Sequence, residues 1–105
     1  MKFIDVLVTC PSRASAETIA RVIVQERLAA CANIGSGIGS IYRWNGAIEE
    51  TDEFPLMLKT RADLFDRLAA RVKEMHDYDV PCIVAMELEV VDPAYAKWLE
   101  EETAE

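Results

Sequence analysis

Hydrophobic and polar positions follow two different periods along the chain, and each change of period marks a predicted element. Residues 3–10 form a nearly continuous apolar run rich in β-branched side chains, which predicts a largely buried strand ending at Pro11. From Arg13 to about Leu28 apolar residues recur every third or fourth position, and Ser12 precedes them as an N-cap. The chain therefore begins with a predicted strand and an amphipathic helix.

The middle of the chain predicts a long hairpin. A strand region over residues 31–44 is interrupted by glycines, and Asn45-Gly46 predicts a type I′ turn in which both residues have positive φ. The returning strand is expected over residues 47–59. Pro55 lies inside it, which indicates an edge position or a bulge, because proline cannot donate to a sheet ladder.

The last third predicts a helix, a strand and a final helix. The second helix is expected from Thr60, in a capping box with Asp63, to about Met75. Residues 82–91 then alternate between apolar side chains and glutamates, the pattern of a strand with one buried face. Asp92, followed by a proline, caps a short last helix.

The order β-α-β-β-α-β-α within one domain spanning 1–105 predicts an α+β, ferredoxin-like fold with a mainly antiparallel sheet and a C-terminal helix. In that topology the first and last strands are antiparallel neighbours. Cys10, Cys82 and the loop that carries His76 should therefore converge at one edge of the domain. Cys31 should lie at the opposite edge, roughly one strand length (~20–25 Å) away.

Charge and composition narrow the classes of partner. Of the 105 residues 51% are hydrophobic, which excludes disorder, and the net charge of −8 repels nucleic acids and anionic membranes. No apolar run approaches the ~20 residues that span a bilayer. Asp5 interrupts the start of the chain too early for a signal core, and three widely spaced cysteines suit a reducing compartment. We expect a cytoplasmic protein.

Thiols and the single histidine are the candidate metal ligands. Cys10, Cys82 and His76 would supply two thiolates and an imidazole at one edge, and Cys31 a thiolate at the other. Such soft donors suit copper or zinc. No dense ligand spacing such as C-x-x-C is present, so burial of the cysteines as packing residues is the alternative interpretation.

Other residues do not assemble a catalytic set. The acidic run over residues 49–53 is interpreted as a solvated strand edge that opposes aggregation. A small phosphatase of this architecture needs a glycine and an arginine after the first strand, and the segment from Cys10 to Arg13 has no glycine. No nucleophile, base and oxyanion donors can be assigned together, so we expect no enzymatic activity.

Five segments resemble, in order and spacing, those of the CutA family of divalent-cation tolerance proteins. They are LAACANI (28–34), SIYRWNG (40–46), LKTR (58–61), HDYDVP (76–81) and PAYAKWL (93–99). The resemblance covers nearly the whole chain. It implies a ferredoxin-like subunit in a homotrimer, a role in tolerance of divalent metals, copper above all, and a structural similarity to trimeric PII-type signalling proteins.

The resemblance also bears on single residues. Cys31 is the cysteine that best matches the family pattern. The loop that begins at His76 commonly reads His-Pro-Tyr-x-x-Pro-Glu in the family, and here Asp77 replaces the proline and Cys82 replaces the glutamate. A role that the family gives that glutamate does not carry over to this chain.

Large aromatic side chains are candidates for a subunit interface, and three basic residues are candidates for binding a ligand. The aromatic residues are too many for so small a core, and a subunit interface is the favoured interpretation of Tyr42, Trp44, Tyr78 and Trp98. The alternative function is a PII-like module that binds a small anionic ligand in a cleft between subunits. Its candidate ligand-binding residues are Lys59, Arg61 and Arg43.

Overall fold

The computed structural model describes residues 1–104 and has the predicted α+β architecture. The strands are β1 (Phe3–Cys10), β2 (Cys31–Ile34), β3 (Ile38–Trp44), β4 (Ala47–Arg61) and β5 (Ile83–Leu88). The helices are α1 (Arg13–Gln25), α2 (Phe65–Met75), which a short 3-10 helix at Ala62–Leu64 precedes, and α3 (Pro93–Glu102). The antiparallel sheet has the order β2-β4-β1-β5, and β3 pairs with β4 beyond it.

One face of this sheet is buried under α1 and α2. Val6, Val8 and Cys10 are inaccessible to solvent, whereas the residues between them are partly exposed. Helix α1 contributes the apolar stripe that its periodicity predicts, which consists of Ala16, Ile19, Ala20 and Ile23. Each fully buried aliphatic side chain contributes roughly 1.5–3 kcal/mol to folding.

Helix α1 begins as predicted and ends earlier than predicted. The Ser12 hydroxyl accepts a hydrogen bond from the amide of Ser15, which confirms the N-cap. The helix stops at Gln25 instead of Leu28 because Arg27 has a φ of 61°. The amide of Leu28 then bonds the carbonyl oxygen of Ile23 at 3.0 Å, a helix-ending geometry.

The strand predicted over residues 31–44 is divided into β2 and β3, and Pro55 lies opposite the gap. Strand β4 pairs with β1 on one side and with β2 and β3 on the other, so of the two alternatives predicted at Pro55, an edge position or a bulge, the edge position is wrong. Three residues, 35–37, lie opposite the two residues 54–55 of β4, which is the one-residue excess of a bulge. The Pro55 carbonyl oxygen accepts the amide of Gly35 at 2.8 Å. A Cβ on Gly35 would approach Pro55 Cγ to 2.7 Å, so the gap requires a glycine here.

Thr60 does not cap the second helix. It belongs to β4, is fully buried, and its hydroxyl donates to the carbonyl oxygen of Leu28 at 2.7 Å. The predicted partner Asp63 instead accepts two hydrogen bonds from Arg61. The prediction failed because a buried hydroxyl in a strand and an N-cap hydroxyl have the same local sequence appearance.

The C-terminal elements follow the predicted order with shorter bounds. Strand β5 covers 83–88 rather than 82–91. Asp92 caps α3 as predicted, since its carboxylate accepts the amides of Ala94 and Tyr95. Leu99 is buried, but Tyr95 and Trp98 stay more than a third exposed, so α3 presents aromatic surface to solvent.

The hairpin of β3 and β4 gives the protein its length. Asn45 and Gly46 have φ values of 51° and 80°, which confirms the predicted type I′ turn. The hairpin extends beyond the four-stranded sheet, and the molecule measures 45 × 25 × 23 Å. No helix within residues 1–104 is both long and apolar enough to cross a membrane.

Candidate functional site

A cleft of about 610 Å³ lies where the hairpin leaves the sheet. Strand β1 ends at Cys10, opposite Phe54, and residues 47–53 of β4 pair with β3 alone. The loop between α2 and β5 covers this junction. The cleft is lined by Thr9 of β1, by Ser40, Ile41, Tyr42, Trp44 and Glu53 of the hairpin, and by Asp77, Tyr78, Asp79, Val80 and Cys82 of the loop.

His76 fastens that loop to the sheet. Its Nδ1 accepts the backbone amide of Tyr78 at 3.1 Å, and its Nε2 lies 2.9 Å from the carbonyl oxygen of Thr9. Because Nδ1 accepts a hydrogen bond, Nε2 carries the ring hydrogen and donates a hydrogen bond to the carbonyl oxygen of Thr9. Both nitrogens of this buried ring are therefore occupied by protein groups, and neither is free to bind a metal ion while these bonds persist.

A hydrogen bond joins Glu53 and Tyr78 in the lining of the cleft. The Tyr78 hydroxyl donates to Glu53 Oε2 at 3.1 Å, and the Glu53 residue is only 6% exposed. Burial, together with the hydrogen bond and negative charge of Glu53, raises the pKa of Tyr78 to about 12. The tyrosine therefore remains a proton donor across the physiological range.

The sequence did not indicate the importance of Glu53. The interpretation of the acidic run 49–53 as a solvated edge is wrong for Glu53, whereas Glu49, Glu50 and Asp52 are exposed. No local signal separates Glu53 from its neighbours. It is buried because a loop some 25 residues later in the chain folds over it.

Cys10, His76 and Cys82 reach the same end of the domain, as the topology predicts, but in different environments. Cys10 is fully buried in the core, and burial, with the charges of Glu53 and Asp77, raises its pKa to about 11. Cys82 is exposed at the cleft. Within residues 1–104 no group of three or more His, Cys, Asp or Glu side chains is placed to hold a metal ion.

Cys31 lies at the other end of the sheet, next to a lysine. Strand register places Cys31 beside Lys59, and Lys59 beside Asp5. Since Cys10 is five residues beyond Asp5 on β1, the two cysteines are separated by about 17 Å along the strands. Asn33 Oδ1 accepts both the Lys59 ammonium, at 2.9 Å, and the Cys31 thiol, at 3.7 Å.

Two further groups complete the surroundings of Cys31. Asp5 Oδ2 lies 3.9 Å from Lys59 Nζ, and Asp5 Oδ1 is buried without a hydrogen-bond partner. Burial, followed by the charge of Cys31 and a hydrogen bond to it, raises the pKa of Tyr95. The ammonium of Lys59 opposes binding of a cation at Cys31, so these residues of a single chain do not by themselves fit a copper or zinc site.

The three basic residues predicted to bind an anion are not brought together. Lys59 is engaged by Asn33 and Asp5, and Arg61 donates to Asp63 and to the carbonyl oxygen of Thr103. Arg43 lies far out on the hairpin, about 36 Å along β4 from Lys59.

The predicted interface aromatics fall into two groups. Tyr42, Trp44 and Tyr78 line the cleft, and Trp98 lies on α3 with its ring centroid 5.4 Å from that of Tyr95. Tyr42 and Trp44 are 37% and 41% exposed. Both groups remain available for contact with a partner or a ligand.

Fold and site together define a ferredoxin-like α+β protein whose candidate site lies at the base of a projecting hairpin. The family model described as CutA1 divalent ion tolerance protein matches residues 4–102. The chain belongs to this family.

Similar proteins support that assignment over nearly their full length. The divalent-cation tolerance protein CutA of Thermus thermophilus is 48% identical over 93% of this chain and 95% of its own. A CutA1 structure from Oryza sativa superposes with a TM-score of 0.96 at 39% identity, covering 100% of this chain and 96% of that one. A CutA structure from Archaeoglobus fulgidus, described as periplasmic, has a TM-score of 0.92 at 37% identity, with 95% and 97% covered.

Proposed function

We propose that this protein acts in tolerance of divalent cations, copper above all, as a homotrimer in the cytoplasm and without catalysing a reaction. The observation that carries the proposal is the match of residues 4–102 to the CutA1 divalent ion tolerance family. Relatives of nearly equal length share the description divalent-cation tolerance protein. The cytoplasmic location rests on the three unpaired cysteines, which suit a reducing compartment.

Exposed apolar surface supports assembly. Ile41 and Ile48 on the hairpin are 71% and 57% exposed, and Val84 and Met86 of β5 are about half exposed. Strands β3 and β5 each pair with one neighbour, so both have a free edge. Apolar side chains beside unpaired strand edges favour association with another chain. The resemblance to CutA proteins implies three copies.

Accessible thiols support binding of copper by thiolate ligands. Cys82 is exposed and Cys31 is partly exposed, whereas Cys10 is buried. Because residues 1–104 of one chain hold no three-ligand group, a copper ion would take its ligands from more than one copy.

The chemistry of the site supports a non-enzymatic role. The Cys10 thiol, with a pKa of about 11, is a poor nucleophile, and both nitrogens of His76 are occupied. Arg13, the arginine in the segment directly after β1, pairs with Glu17 on the surface of α1 at 3.6 Å.

Native mass spectrometry of protein purified without a chelator tests assembly and metal together. We expect a trimer with copper bound. Cys31→Ala or Cys82→Ala should lose the copper, and Cys10→Ala, the buried control, should keep it. The variant that loses copper should also fail to restore copper resistance to cells that lack the gene, whereas Cys10→Ala should restore it. A monomer, or full resistance in cells with all three variants and no bound copper, would contradict the proposal.

A further inference from the structure

Within residues 1–104, the cleft at the base of the hairpin contains a buried carboxylate that no basic side chain pairs with. Glu53 is nine-tenths buried, and its Oε2 accepts one hydrogen bond, from the neutral hydroxyl of Tyr78. Within residues 1–104, Glu53 Oε1 has no hydrogen-bond or ion-pair partner; unlike Asp5 Oδ1 it is not sealed from solvent, and it belongs to a side chain that lines the cleft. Asp77 and Asp79 also line the cleft, and its lining contains no lysine, arginine or histidine.

The buried carboxylate of Glu53 requires compensation for the hydration that it loses on folding. A buried ion is stable only when an opposite charge or several donors compensate its lost hydration, and one tyrosine hydroxyl compensates it in part. The negative charge of Glu53 acts on neighbouring groups, since it contributes to raising the pKa of both Cys10 and Tyr78. A positive group in the cleft would supply the missing compensation.

The remaining walls are aromatic. Tyr42, Trp44 and Tyr78 line the same cleft, and Trp44 is 41% exposed, so its ring is accessible to a ligand. Aromatic faces attract ammonium and guanidinium groups, with about 0.5–2 kcal/mol for each contact. Aliphatic parts of a ligand would be accommodated by Ile41 and Val80. Aromatic side chains together with a buried carboxylate thus suit a ligand that has a positively charged group attached to an apolar part.

We propose that this cleft binds a small organic cation, a primary ammonium or guanidinium group on an aliphatic body, with Glu53 as its counter-ion. Asp77 and Asp79 repel an anion from the entrance. A divalent metal ion is disfavoured because residues 1–104 place no three-ligand group here. The proposal is independent of the role in metal tolerance.

Fluorescence titration of the assembled protein tests the proposal. In a Trp98→Phe background Trp44 is the one remaining tryptophan, and it lies in the cleft. The probes are butylammonium and butylguanidinium, with butanol as the neutral control and butyrate as the anionic control. We expect saturable changes with the two cations and none with the controls. This comparison requires no change at Glu53.

Matched charge variants locate the site. Glu53→Gln should weaken cation binding about 10- to 100-fold, because a charge-assisted hydrogen bond is lost. Glu50→Gln removes the same charge from an exposed position of the same strand and should change nothing. The proposal is overturned if neither cation gives a saturable change, if both variants behave alike, or if copper gives the Glu53-dependent signal instead. It is also overturned if Glu53→Gln dissociates the assembly, since a basic side chain of a second copy would then occupy the cleft.

Discussion

The Nε2 atom of His76 lies 2.9 Å from the carbonyl oxygen of Thr9, the penultimate residue of β1. This bond joins the end of α2 to the end of the first strand, 67 residues earlier. Together with the bond from the Tyr78 amide to Nδ1, it fixes the loop that roofs the cleft. The only histidine of the chain is thus a positioning residue for Tyr78 and, through it, for Glu53.

His76→Ala should destabilise the fold without lowering copper affinity. Removing the ring leaves the buried carbonyl of Thr9 and the amide of Tyr78 without partners, at a cost of about 1–3 kcal/mol for each group that water does not reach. Urea unfolding measures the loss, and Lys73→Ala on exposed α2 surface is the control. Unchanged stability with lost copper affinity would instead identify His76 as a ligand.

The sequence predicted the fold because periodicity reports on it directly. The apolar run of β1, the stripe of α1 and the Asn45-Gly46 turn each depend on neighbouring residues, and each is confirmed. The burial of Glu53 and Thr60 depends on partners about 25 and 32 residues away, Tyr78 and Leu28. Local patterns contain no information about such contacts, so the cleft could not be predicted.

The three thiols should react in a fixed order. Cys82 is exposed, Cys31 is partly exposed and contacts Asn33, and Cys10 is inaccessible with a pKa of about 11. Because the thiolate is the reactive form, an aromatic disulfide reagent at pH 8 should modify Cys82 first, Cys31 more slowly, and Cys10 only after unfolding. Peptide mapping by mass spectrometry gives the order.

Cys82→Ser should remove the fast phase of that reaction and leave the other two unchanged. A Cys82 that reacts only when denaturant dissociates the assembly would place this residue in a subunit interface. Rapid reaction of Cys10 in the folded protein would contradict its burial.

Stability should fall as the pH rises from about 9 to about 12. The pKa values of Cys10 and Tyr78 rise from 9.0 to about 11 and from 10.0 to about 12 on folding. In this interval the unfolded chain has lost protons that the folded chain keeps, so alkali favours unfolding. Below this interval both states are protonated and these groups give no slope.

Urea unfolding at a series of alkaline pH values measures this slope. A Cys10→Ala/Tyr78→Phe double variant should be less sensitive to alkali than the wild type. Cys82→Ser/Tyr42→Phe removes one exposed thiol and one exposed phenol instead, and should keep the wild-type slope. Equal slopes in both double variants would show that other groups control alkaline unfolding.

Lys59→Gln should strengthen copper(I) binding if Cys31 is a ligand. Asn33 Oδ1 contacts both Cys31 Sγ and Lys59 Nζ, so thiol and ammonium lie within about 7 Å of each other. At that separation and an effective dielectric constant of 20–40, two unit positive charges repel by about 1–2 kcal/mol. Removing the ammonium should therefore raise the affinity roughly 5- to 30-fold, which titration against a competing chelator measures. Lys59→Arg preserves the charge and should bind copper like the wild type. If Lys59→Gln binds copper no more tightly, the ion is held away from Cys31, and the exposed Cys82 becomes the thiol to test.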